Sequence, residues 1–354
     1  MTSALMKWSA RLAFAAASTA LIASCSGTPT TTTDAETTDA TADTAAAEGA
    51  ACAPELAAID FGIISTESQA NLEELWEPFL ARMSEELGRP VNGFYATDYA
   101  GVIEAMGAGK IQIAWYGGKS YIEAAKRSGA EAFAQTIASD GSKGYYAHLI
   151  TNKANPIVSE IDLEAGNGDE YVVENAGELT FAFNDPNSTS GYLVPSYYVF
   201  SQKGVDPQAI FEELIFSGSH EATAQAVANN QVDVATNNSE SMARLQESDP
   251  EAFEQVQIIW TSTLIPGDPI AYQSELPDCL KTQMQDFFYN MTDEAVLGPL
   301  DWSGFEPADD SGWDTVRELD VAQRMEEVKN DAALNEADKA SQLAELEQEL
   351  EALK

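Results

Sequence analysis

The stretch Asp185-Pro186-Asn187-Ser188-Thr189-Ser190-Gly191-Tyr192 determines how we interpret the rest of the chain. It follows an alternating apolar run, residues 179–183, which predicts a strand, and it precedes residues 193–202, which predict a helix. In α/β proteins a strand, a polar turn and a helix start in this order direct backbone N–H groups toward an anion. Three successive hydroxyl groups beside those N–H groups suit a phosphate-like or phosphonate-like group. An equally good interpretation makes Ser188 a simple N-cap and Ser190 a turn residue.

Pro195 complicates the predicted helix. It has no N–H to donate to the carbonyl group of Gly191, and a proline ring crowds the preceding turn of a helix. The absence of a side chain at Gly191 would ease that crowding. A kinked helix or a later helix start also fits the sequence, and Gly204 is placed to end the helix.

The chain has 354 residues, of which 44% are hydrophobic, and this is enough for two lobes that each have a core. Its 58 acidic residues far outnumber its 18 basic residues, and the formal net charge is −40. We expect no nucleic-acid partner, because such partners require basic patches. We interpret the excess of acids as a solvated acidic surface. A field this negative repels an anionic ligand, so capture must depend on short-range hydrogen-bond donors.

The first residues predict a targeting segment. Lys7 and Arg11 precede an apolar run, residues 12–23, which is too short for a comfortable membrane span. Small residues before Cys25 resemble the lipobox of bacterial lipoproteins, so we predict that residues 1–25 are a signal peptide ending at a lipidated Cys25. An ordinary cleaved signal is the alternative. Residues 26–54 predict an acidic, Thr/Ala-rich linker, and the anchor would hold an exported protein at the extracytoplasmic, for instance periplasmic, face of a membrane.

Cys52 and Cys279 are the other two cysteines of the chain. In an oxidising compartment they can pair and join the start of the folded body to a late segment. Two separate thiols fit the sequence nearly as well, because nothing in it shows that the two residues lie close together.

From Ile59 onward, predicted strands and helices alternate, and this favours an α/β fold with two lobes. We place residues 55–152 and 264–317 in lobe 1, residues 153–263 in lobe 2, and residues 318–354 in a C-terminal helical segment. Ligands of such sheets bind beyond the carboxyl ends of the strands, which here means a cleft between the lobes. The predicted strands are residues 59–64, 91–96, 111–115, 133–138, 145–152, 179–183, 214–217, 232–235 and 257–260.

The composition changes after Trp313. Residues 325–354 are rich in Ala, Glu, Leu and Lys, and their leucines recur at helical spacing, which predicts one or two helices. These helices would pack on a lobe or on a second copy of the chain, which would make a homodimer. A solvated single helix is the alternative.

Six ordered motifs resemble those of phosphonate-binding proteins, the solute-binding components of phosphonate ABC importers. The similarity runs from about Ile59 to the C-terminal helices. Any one motif is weak, whereas the ordered set is specific. The motifs are residues 61–68, 98–101, 113–117, 185–191, 232–238 and 264–269.

The resemblance implies a two-lobed periplasmic-binding-protein-like fold, a non-catalytic role, no cofactor, and permease and ATPase subunits as partners. It also implies a site with two chemical halves, in which one half takes a phosphonate and the other a ligand ammonium, as in 2-aminoethylphosphonate. The residues implied for the phosphonate are Ser188, Thr189, Ser190 and His220, with Tyr99 and Tyr145 closing over the ligand, and those implied for the ammonium are Glu240 and Asp268.

Without the resemblance, each of these residues has a simpler interpretation. His220 follows Ser219 at a predicted helix start, where an anion is favoured, but a lone His is more often a surface or packing residue. The two tyrosines fit core aromatics, Glu240 fits a solvated helix face, and Asp268 fits a turn. Burying an acid without a partner is unfavourable, so a cleft that holds two acids demands a cation.

Three other functions compete with this one. A receptor for phosphite, methylphosphonate or phosphate would leave both acids unpaired. A phosphonate hydrolase or phosphatase, with Ser188 as nucleophile and His220 as base, is poorly supported, because the chain has two His, no Walker lysine and no Gly-x-Ser-x-Gly turn. A structural adhesin built on the acidic linker and the terminal helix would leave the cleft motifs unexplained.

Overall fold

The structure of the protein is a computed structural model, and the residues that it describes are 52–353. The predicted signal peptide, the predicted lipidation site Cys25 and nearly all of the predicted linker lie outside the described residues. Within residues 52–353, no helix is both long enough and apolar enough to span a bilayer.

Strands and helices alternate as the sequence predicts. The strands of residues 52–353 are β1 (Ile59–Ile63), β2 (Val91–Tyr95), β3 (Ile113–Trp115), β4 (Ala130–Ala138), β5 (Gly144–Tyr145), β6 (Ala147–Asn152), β7 (Thr180–Phe183), β8 (Glu213–Phe216), β9 (Val234–Asn238), β10 (Val256–Thr261), β11 (Ile265–Pro266), β12 (Pro269–Gln273) and β13 (Trp302–Pro307). The α-helices are α1 (Gln69–Leu87), α2 (Tyr99–Gly107), α3 (Gly118–Ser128), α4 (Gly168–Glu174), α5 (Pro207–Ile210), α6 (His220–Ala228), α7 (Ser239–Ser248), α8 (Pro250–Gln255), α9 (Asp278–Asn290), α10 (Glu294–Leu297), α11 (Asp314–Asn330) and α12 (Glu336–Ala352).

Two sheets organise the two lobes. The first sheet has the order β13-β4-β12-β3-β1-β2, with β1 parallel to both β2 and β3 and with antiparallel pairing from β3 through β12 and β4 to β13. The second sheet has the order β10-β6-β9-β7-β8, with β7 parallel to β8 and β9, and with β6 antiparallel to β9 and β10. Both sheets contain parallel strands whose crossovers are helical, so this is the α/β architecture that the alternation predicts.

One predicted boundary differs from the structure. The sequence-based boundary near Asn152 places β6 in lobe 1, whereas β6 forms hydrogen bonds in the second sheet. The chain therefore crosses between the sheets before β6, at the short β5, which pairs with β11 near the return crossing. The partners of β6 lie some 80 to 115 positions further along the chain, for instance Asn237 opposite His148, and local pattern does not encode such long-range pairing.

Local sequence explains the ends of the helices. The apolar face of α1 is buried, and the helix ends at Gly88 in the left-handed conformation, with φ of +62°. Asp98 caps α2, because its Oδ1 accepts a hydrogen bond from the backbone N–H of Gly101 at 2.8 Å. Both features are predicted from the sequence.

Alternating side chains build a core on each face of the second sheet. Phe181 and Phe183 in β7 pack on one face with Phe200 and Phe211, while Ala182 between them packs on the opposite face, under α6 and α7. The first lobe has one large core that includes stacked and edge-on aromatic rings from β1, α1 and α9. Each lobe therefore has its own core, which lets the lobes act as rigid units.

The ends of the described chain are fastened to the lobes. Cys52 and Cys279 form a disulfide, so the pairing that the sequence left undecided is present. Helix α11 contacts both lobes, because Asp320 pairs with Lys119 of α3 at 3.2 Å and Gln323 accepts a hydrogen bond from Ser201 at 2.6 Å. Helix α12 packs on α11, with Leu346 buried. The C-terminal helices thus cover their own chain, and a homodimer stays a prediction.

Candidate ligand-binding site

The stretch after β7 begins a helix of unusual geometry. Ser188 is an N-cap, because its Oγ accepts a hydrogen bond from the N–H of Gly191 at 3.0 Å, so the simple capping interpretation is confirmed as local structure. The turns Thr189–Leu193 and Ser196–Phe200 are π-helical, with five-residue spacing such as Leu193 N–H to Ser188 O at 3.1 Å. Helix starts leave their first N–H groups without intrahelical acceptors, so Thr189 and Ser190 present donors at this end.

Pro195 explains how the helix start is held in place. Because Pro195 has no N–H, the carbonyl group of Gly191 is released, and it accepts hydrogen bonds from Thr236 Oγ1 at 2.7 Å and from the N–H of Asn184 at 3.2 Å. A Cβ atom at Gly191 would lie 1.8 Å from the side-chain oxygen of Asn184. Glycine is therefore required at position 191 by the close approach of Asn184, and the easing of crowding from Pro195 stays a prediction.

The three hydroxyl side chains are almost fully buried, and they contact residues of both lobes. Thr189 Oγ1 accepts a hydrogen bond from the backbone N–H of Lys119 in the first lobe at 2.8 Å. Ser190 Oγ accepts one from Asn238 in the second lobe at 3.1 Å. We call Ser188, Thr189, Ser190 and His220 the hydroxyl end of the site.

His220 opens helix α6 after its N-cap Ser219, and its ring is buried. Its Nε2 lies 3.2 Å from Asn238 Nδ2, whereas its Nδ1 has no hydrogen-bond partner among the described residues. Burial, helped by the positive charge of Arg244, lowers the pKa of His220 to about 3, so the ring is neutral at physiological pH. His220, which the sequence predicts as a donor, and Ser190 therefore both contact the side chain of Asn238.

The two predicted tyrosines lie between the hydroxyl end and the acids. Tyr99 at the start of α2 is buried and interacts with Ser188, and burial raises its pKa, assisted by Asp185 and Asp268. Tyr145 at the end of β5 is buried as well, and burial with the charges of Asp268 and Glu240 raises its pKa. Neutral phenols at these places can donate to a ligand.

Asp268 lies between β11 and β12, in a turn held by a hydrogen bond from its own N–H to Thr136 Oγ1 at 3.0 Å. Its Oδ1 is buried and has no hydrogen-bond partner among the described residues. Burial raises the pKa of Asp268 well above its ordinary value, and the charge of Glu240 raises it further. Trp115 and Tyr145 act in the opposite direction, although the indole N–H of Trp115 does not reach hydrogen-bond geometry.

Glu240 is the second residue of α7 and is partly buried. Burial raises its pKa, while the positive charge of Arg244, one helical turn later, lowers it. We call Glu240 and Asp268 the acid end of the site. The hydroxyl end and the acid end meet at Gly117, since a Cβ atom there would lie 3.2 Å from Thr189 Oγ1 and 3.9 Å from Asp268 Oδ1.

All eight predicted site residues therefore come together, and whether they bind a ligand stays a proposal. The sequence interpretation missed an ion pair that crosses the cleft, Arg244 Nε to Glu67 Oε1 at 3.2 Å, whose side chains are 15% and 10% exposed. Ser241 also donates to Glu67, at 3.3 Å. A signal was present, because Glu67 lies in one of the six motifs and Arg244 follows Glu240 by four residues.

Backbone hydrogen bonds also cross the cleft. The carbonyl group of Thr66, just after β1, accepts hydrogen bonds from the N–H groups of His220 and Glu221 at 3.0 and 3.2 Å. The carboxylate of Glu221 in turn accepts from the N–H of Ser68 at 2.5 Å and from Asn71 Nδ2 at 3.0 Å. These contacts hold the lobes closed.

Several buried polar atoms near these crossings lack partners among the described residues. They include Thr66 Oγ1 after β1 and Trp115 Nε1 at the end of β3, in addition to Asp268 Oδ1 and His220 Nδ1. An unpartnered buried polar group destabilises a fold by about 1–3 kcal/mol. Ligands of α/β sheets bind at the carboxyl ends of strands. Thr66, after β1, and Trp115, at the end of β3, lie at such strand ends.

Comparison with known proteins identifies the family. The sequence profile described as "ABC transporter, phosphonate, periplasmic substrate-binding protein" matches residues 61–313. The phosphonates-binding periplasmic protein of Escherichia coli K12 is 45% identical over 300 residues, which cover 84% of this chain and 86% of that protein. The phosphate-import protein PhnD of Mycolicibacterium smegmatis is 27% identical, over 74% of this chain and 84% of that protein.

Solved structures agree with this result. The binding-protein component of an ABC phosphonate transporter from Pseudomonas aeruginosa matches with a TM-score of 0.78 and 45% identity, over 84% of this chain and 96% of that chain. PhnD1 of Prochlorococcus marinus in complex with methylphosphonate has a TM-score of 0.64 at 20% identity, over 74% and 97% of the two chains, and shares the fold. The two-lobed periplasmic-binding-protein fold is thereby confirmed. The chain belongs to the periplasmic substrate-binding proteins of phosphonate ABC transporters.

Proposed function

We propose that the protein binds 2-aminoethylphosphonate, or a close relative with an ammonium group, in the cleft between its lobes. The phosphonate occupies the hydroxyl end, the ammonium occupies the acid end, and Tyr99 and Tyr145 close over the ligand. The closed protein then presents the ligand to the permease and ATPase subunits of its transporter, as expected for this family.

The acid end is the observation that carries this proposal. Asp268 Oδ1 is buried without a partner, and the neighbouring charge of Glu240 raises the pKa of Asp268 beyond the effect of burial. A second carboxylate in the same cleft opposes ionisation of Asp268, so the ligand-free site is unfavourable for the Asp268 carboxylate. An ammonium group between them removes this conflict, whereas a simple anion adds a third negative charge.

The hydroxyl end supports a phosphonate in the other half. Ser188, Thr189 and Ser190 are neutral, and His220 is neutral as well because burial lowers its pKa. Neutral donors and helix-start N–H groups stabilise an anion at short range, where the strongly negative field of the whole chain matters least. A zwitterion thus matches both ends at once.

Isothermal titration calorimetry of the purified protein tests the proposal. We expect 2-aminoethylphosphonate to bind far more tightly than methylphosphonate, because methylphosphonate leaves both acids unpaired. Absence of heat and of a thermal shift with 2-aminoethylphosphonate at millimolar concentration would reject the assignment.

A receptor for a simple anion is the second candidate, and the names of relatives favour it. One curated relative is called a phosphate-import protein, and another, 23% identical over 56% of this chain, is a probable phosphite-binding protein. The pair of variants Glu240→Gln and Asp268→Asn discriminates between the candidates. If the wild type binds only simple anions and the variants bind them better, the acids serve another purpose and the second candidate is correct.

We further propose that Cys25 carries a lipid that anchors the exported protein to a membrane. The support is the sequence pattern before Cys25. Mass spectrometry of the mature N-terminus detects the lipid directly. In cell fractionation, a Cys25→Ser variant should be released into the soluble fraction, whereas the wild type should stay with the membrane.

A homodimer through α11 and α12 is a separate proposal, and sedimentation velocity at several concentrations tests it.

A further inference from the structure

Asn238 is a buried residue at the end of β9 that also caps helix α7. Its Oδ1 accepts a hydrogen bond from the backbone N–H of Ser241 at 2.7 Å. Its Nδ2 lies 3.1 Å from Ser190 Oγ and 3.2 Å from His220 Nε2. A backbone N–H can only donate, so it fixes the oxygen of the amide toward Ser241 and the NH₂ group toward the hydroxyl end.

This orientation determines which ring nitrogen of His220 carries a proton. An NH₂ group donates, so His220 Nε2 must accept. In a neutral imidazole the other nitrogen then carries the hydrogen, and His220 Nδ1 is buried without a partner among the described residues. The result is an N–H donor without an acceptor among the described residues, on a ring whose other nitrogen lies 3.2 Å from Asn238 Nδ2.

The same amide acts on Ser190. Because Ser190 Oγ accepts from Asn238, the hydrogen of its hydroxyl group is free to point elsewhere. The side chains of Asn184 and Asn237 lie deeper in the same lobe and bond to Thr223 Oγ1 at 2.7 and 3.0 Å, so they form the support behind this layer. The NH₂ group of Asn238 therefore contacts both Ser190 and the ring of His220.

We propose that Asn238 is a positioning residue that orients the donors of the hydroxyl end, by holding His220 in its Nδ1–H tautomer and by making Ser190 a donor toward the ligand. This inference rests on the proposed function in one respect, which is that the phosphonate binds at the hydroxyl end.

The tautomer can be measured in the ligand-free wild type. The chain has two His, so long-range ¹H–¹⁵N correlation spectra contain two rings, and a His148→Asn variant assigns them. We expect His220 to be neutral at pH 7 with its proton on Nδ1. A ring that is protonated on Nε2, or doubly protonated, would overturn the proposal. This result does not depend on which phosphonate binds.

Asn238→Asp is the matching substitution, because a carboxylate can still cap Ser241 but has no hydrogen to donate to the ring or to Ser190. We expect the ring of His220 to gain a proton on Nε2, and the affinities for methylphosphonate and 2-aminoethylphosphonate to fall by the same factor, about tenfold or more. Asn290→Asp, an exposed residue of α9, adds the same charge far from the site and should change neither readout.

The two readouts together separate a positioning role from a structural one. A loss of affinity with an unchanged ring signal would show that Asn238 only supports the fold, and would overturn the proposal. Should the variant not fold, the ring signal of the wild type still decides. Failure of the wild type to bind 2-aminoethylphosphonate would reject the proposed function without altering the tautomer.

Discussion

The two ends of the cleft differ in their charge and in how fully their polar groups are hydrogen-bonded. The hydroxyl end is held by hydrogen bonds, such as Lys119 N–H to Thr189 at 2.8 Å and Asn238 to Ser190 at 3.1 Å, and its groups are neutral. The acid end holds two acids of like charge, and its more deeply buried oxygen, on Asp268, has no partner. Under the proposed function, the hydroxyl end accepts any phosphonate, while the acid end requires a cation. Selectivity should reside mainly in the acid end, and general affinity in the hydroxyl end.

The largest expected effect is at Asp268. Asp268→Asn removes the charge that an ammonium group needs, so 2-aminoethylphosphonate should bind more weakly by about 2–3 kcal/mol, or roughly a hundredfold. Propylphosphonate, which has a methyl group in place of the ammonium, should bind as well as before or more tightly, because one of the two repelling charges is gone. Calorimetry with both ligands measures the difference.

Asp286→Asn is the matched control for Asp268→Asn, because Asp286 is exposed on α9 and carries the same charge. It should leave both affinities unchanged. Equal losses for the two ligands in Asp268→Asn would mean that Asp268 supports the closed fold and not the ammonium, and the contrast between the two ends would fail.

A smaller effect is expected at the hydroxyl end. Ser190→Ala removes one neutral hydrogen bond to the phosphonate, which is worth about 1–1.5 kcal/mol, or roughly tenfold in affinity. The loss should be the same for 2-aminoethylphosphonate and propylphosphonate, because both carry the phosphonate. Ser201→Ala removes a buried hydroxyl group from the same helical segment, where it bonds to Gln323, and should not affect binding. A loss restricted to 2-aminoethylphosphonate would contradict the assignment of the ends.

The ion pair between Glu67 and Arg244 should have a weaker effect that both ligands share. Glu67→Gln weakens a contact that crosses the cleft, so closure becomes less favourable, and we expect a loss of about 1 kcal/mol, roughly fivefold. Small-angle scattering with saturating ligand should still show the closed form. Glu86→Gln is the control, because its pair with Arg82 at 3.0 Å is exposed and lies within α1. Unchanged affinity in Glu67→Gln would show that the pair does not contribute to closure.

The smallest expected effect is the release of protons when the ligand binds. The pKa of Asp268 is raised in the ligand-free closed form, so part of the protein holds a proton there at pH values between the ordinary and the raised pKa. In this window an ammonium ligand favours the ionised acid, so binding should release a fraction of a proton, and affinity should fall as the pH is lowered. The ligand-free protein, by contrast, should lose stability as the pH rises through the raised pKa.

Calorimetry in buffers with different heats of ionisation measures the protons released. We expect release with 2-aminoethylphosphonate and little or none with propylphosphonate, and Asp268→Asn should reduce it. Proton uptake by the wild type on binding 2-aminoethylphosphonate, or identical release with both ligands, would show that the acid end does not respond to the ammonium.

Local pattern predicts much of the fold. Apolar alternation locates β7 with Phe181 and Phe183 on one face, and the apolar spacing locates α1, because side-chain period is a local property. The sheet of β6 was predicted wrongly, since pairing between distant segments is not local. The π-helical turns after Ser188 were missed, because they have the same composition as an α-helix and depend on Asn184 and Thr236 from other strands.

The site shows the same division. The resemblance in ordered motifs predicted all eight site residues, and the structure places them together. The pair Glu67–Arg244 was missed, because its members are 177 positions apart and meet only when the lobes close. Asn238 was seen as part of a motif but not as a residue that controls His220, because its role follows from three hydrogen-bond distances that no sequence pattern contains.

The most direct test of the central claim compares 2-aminoethylphosphonate with propylphosphonate, two ligands of similar shape that differ in one charge. Calorimetry on the wild-type protein at neutral pH gives both dissociation constants. If the acid end recognises a cation, 2-aminoethylphosphonate binds more tightly by roughly a hundredfold. Equal affinities, or tighter binding of propylphosphonate, would contradict the account.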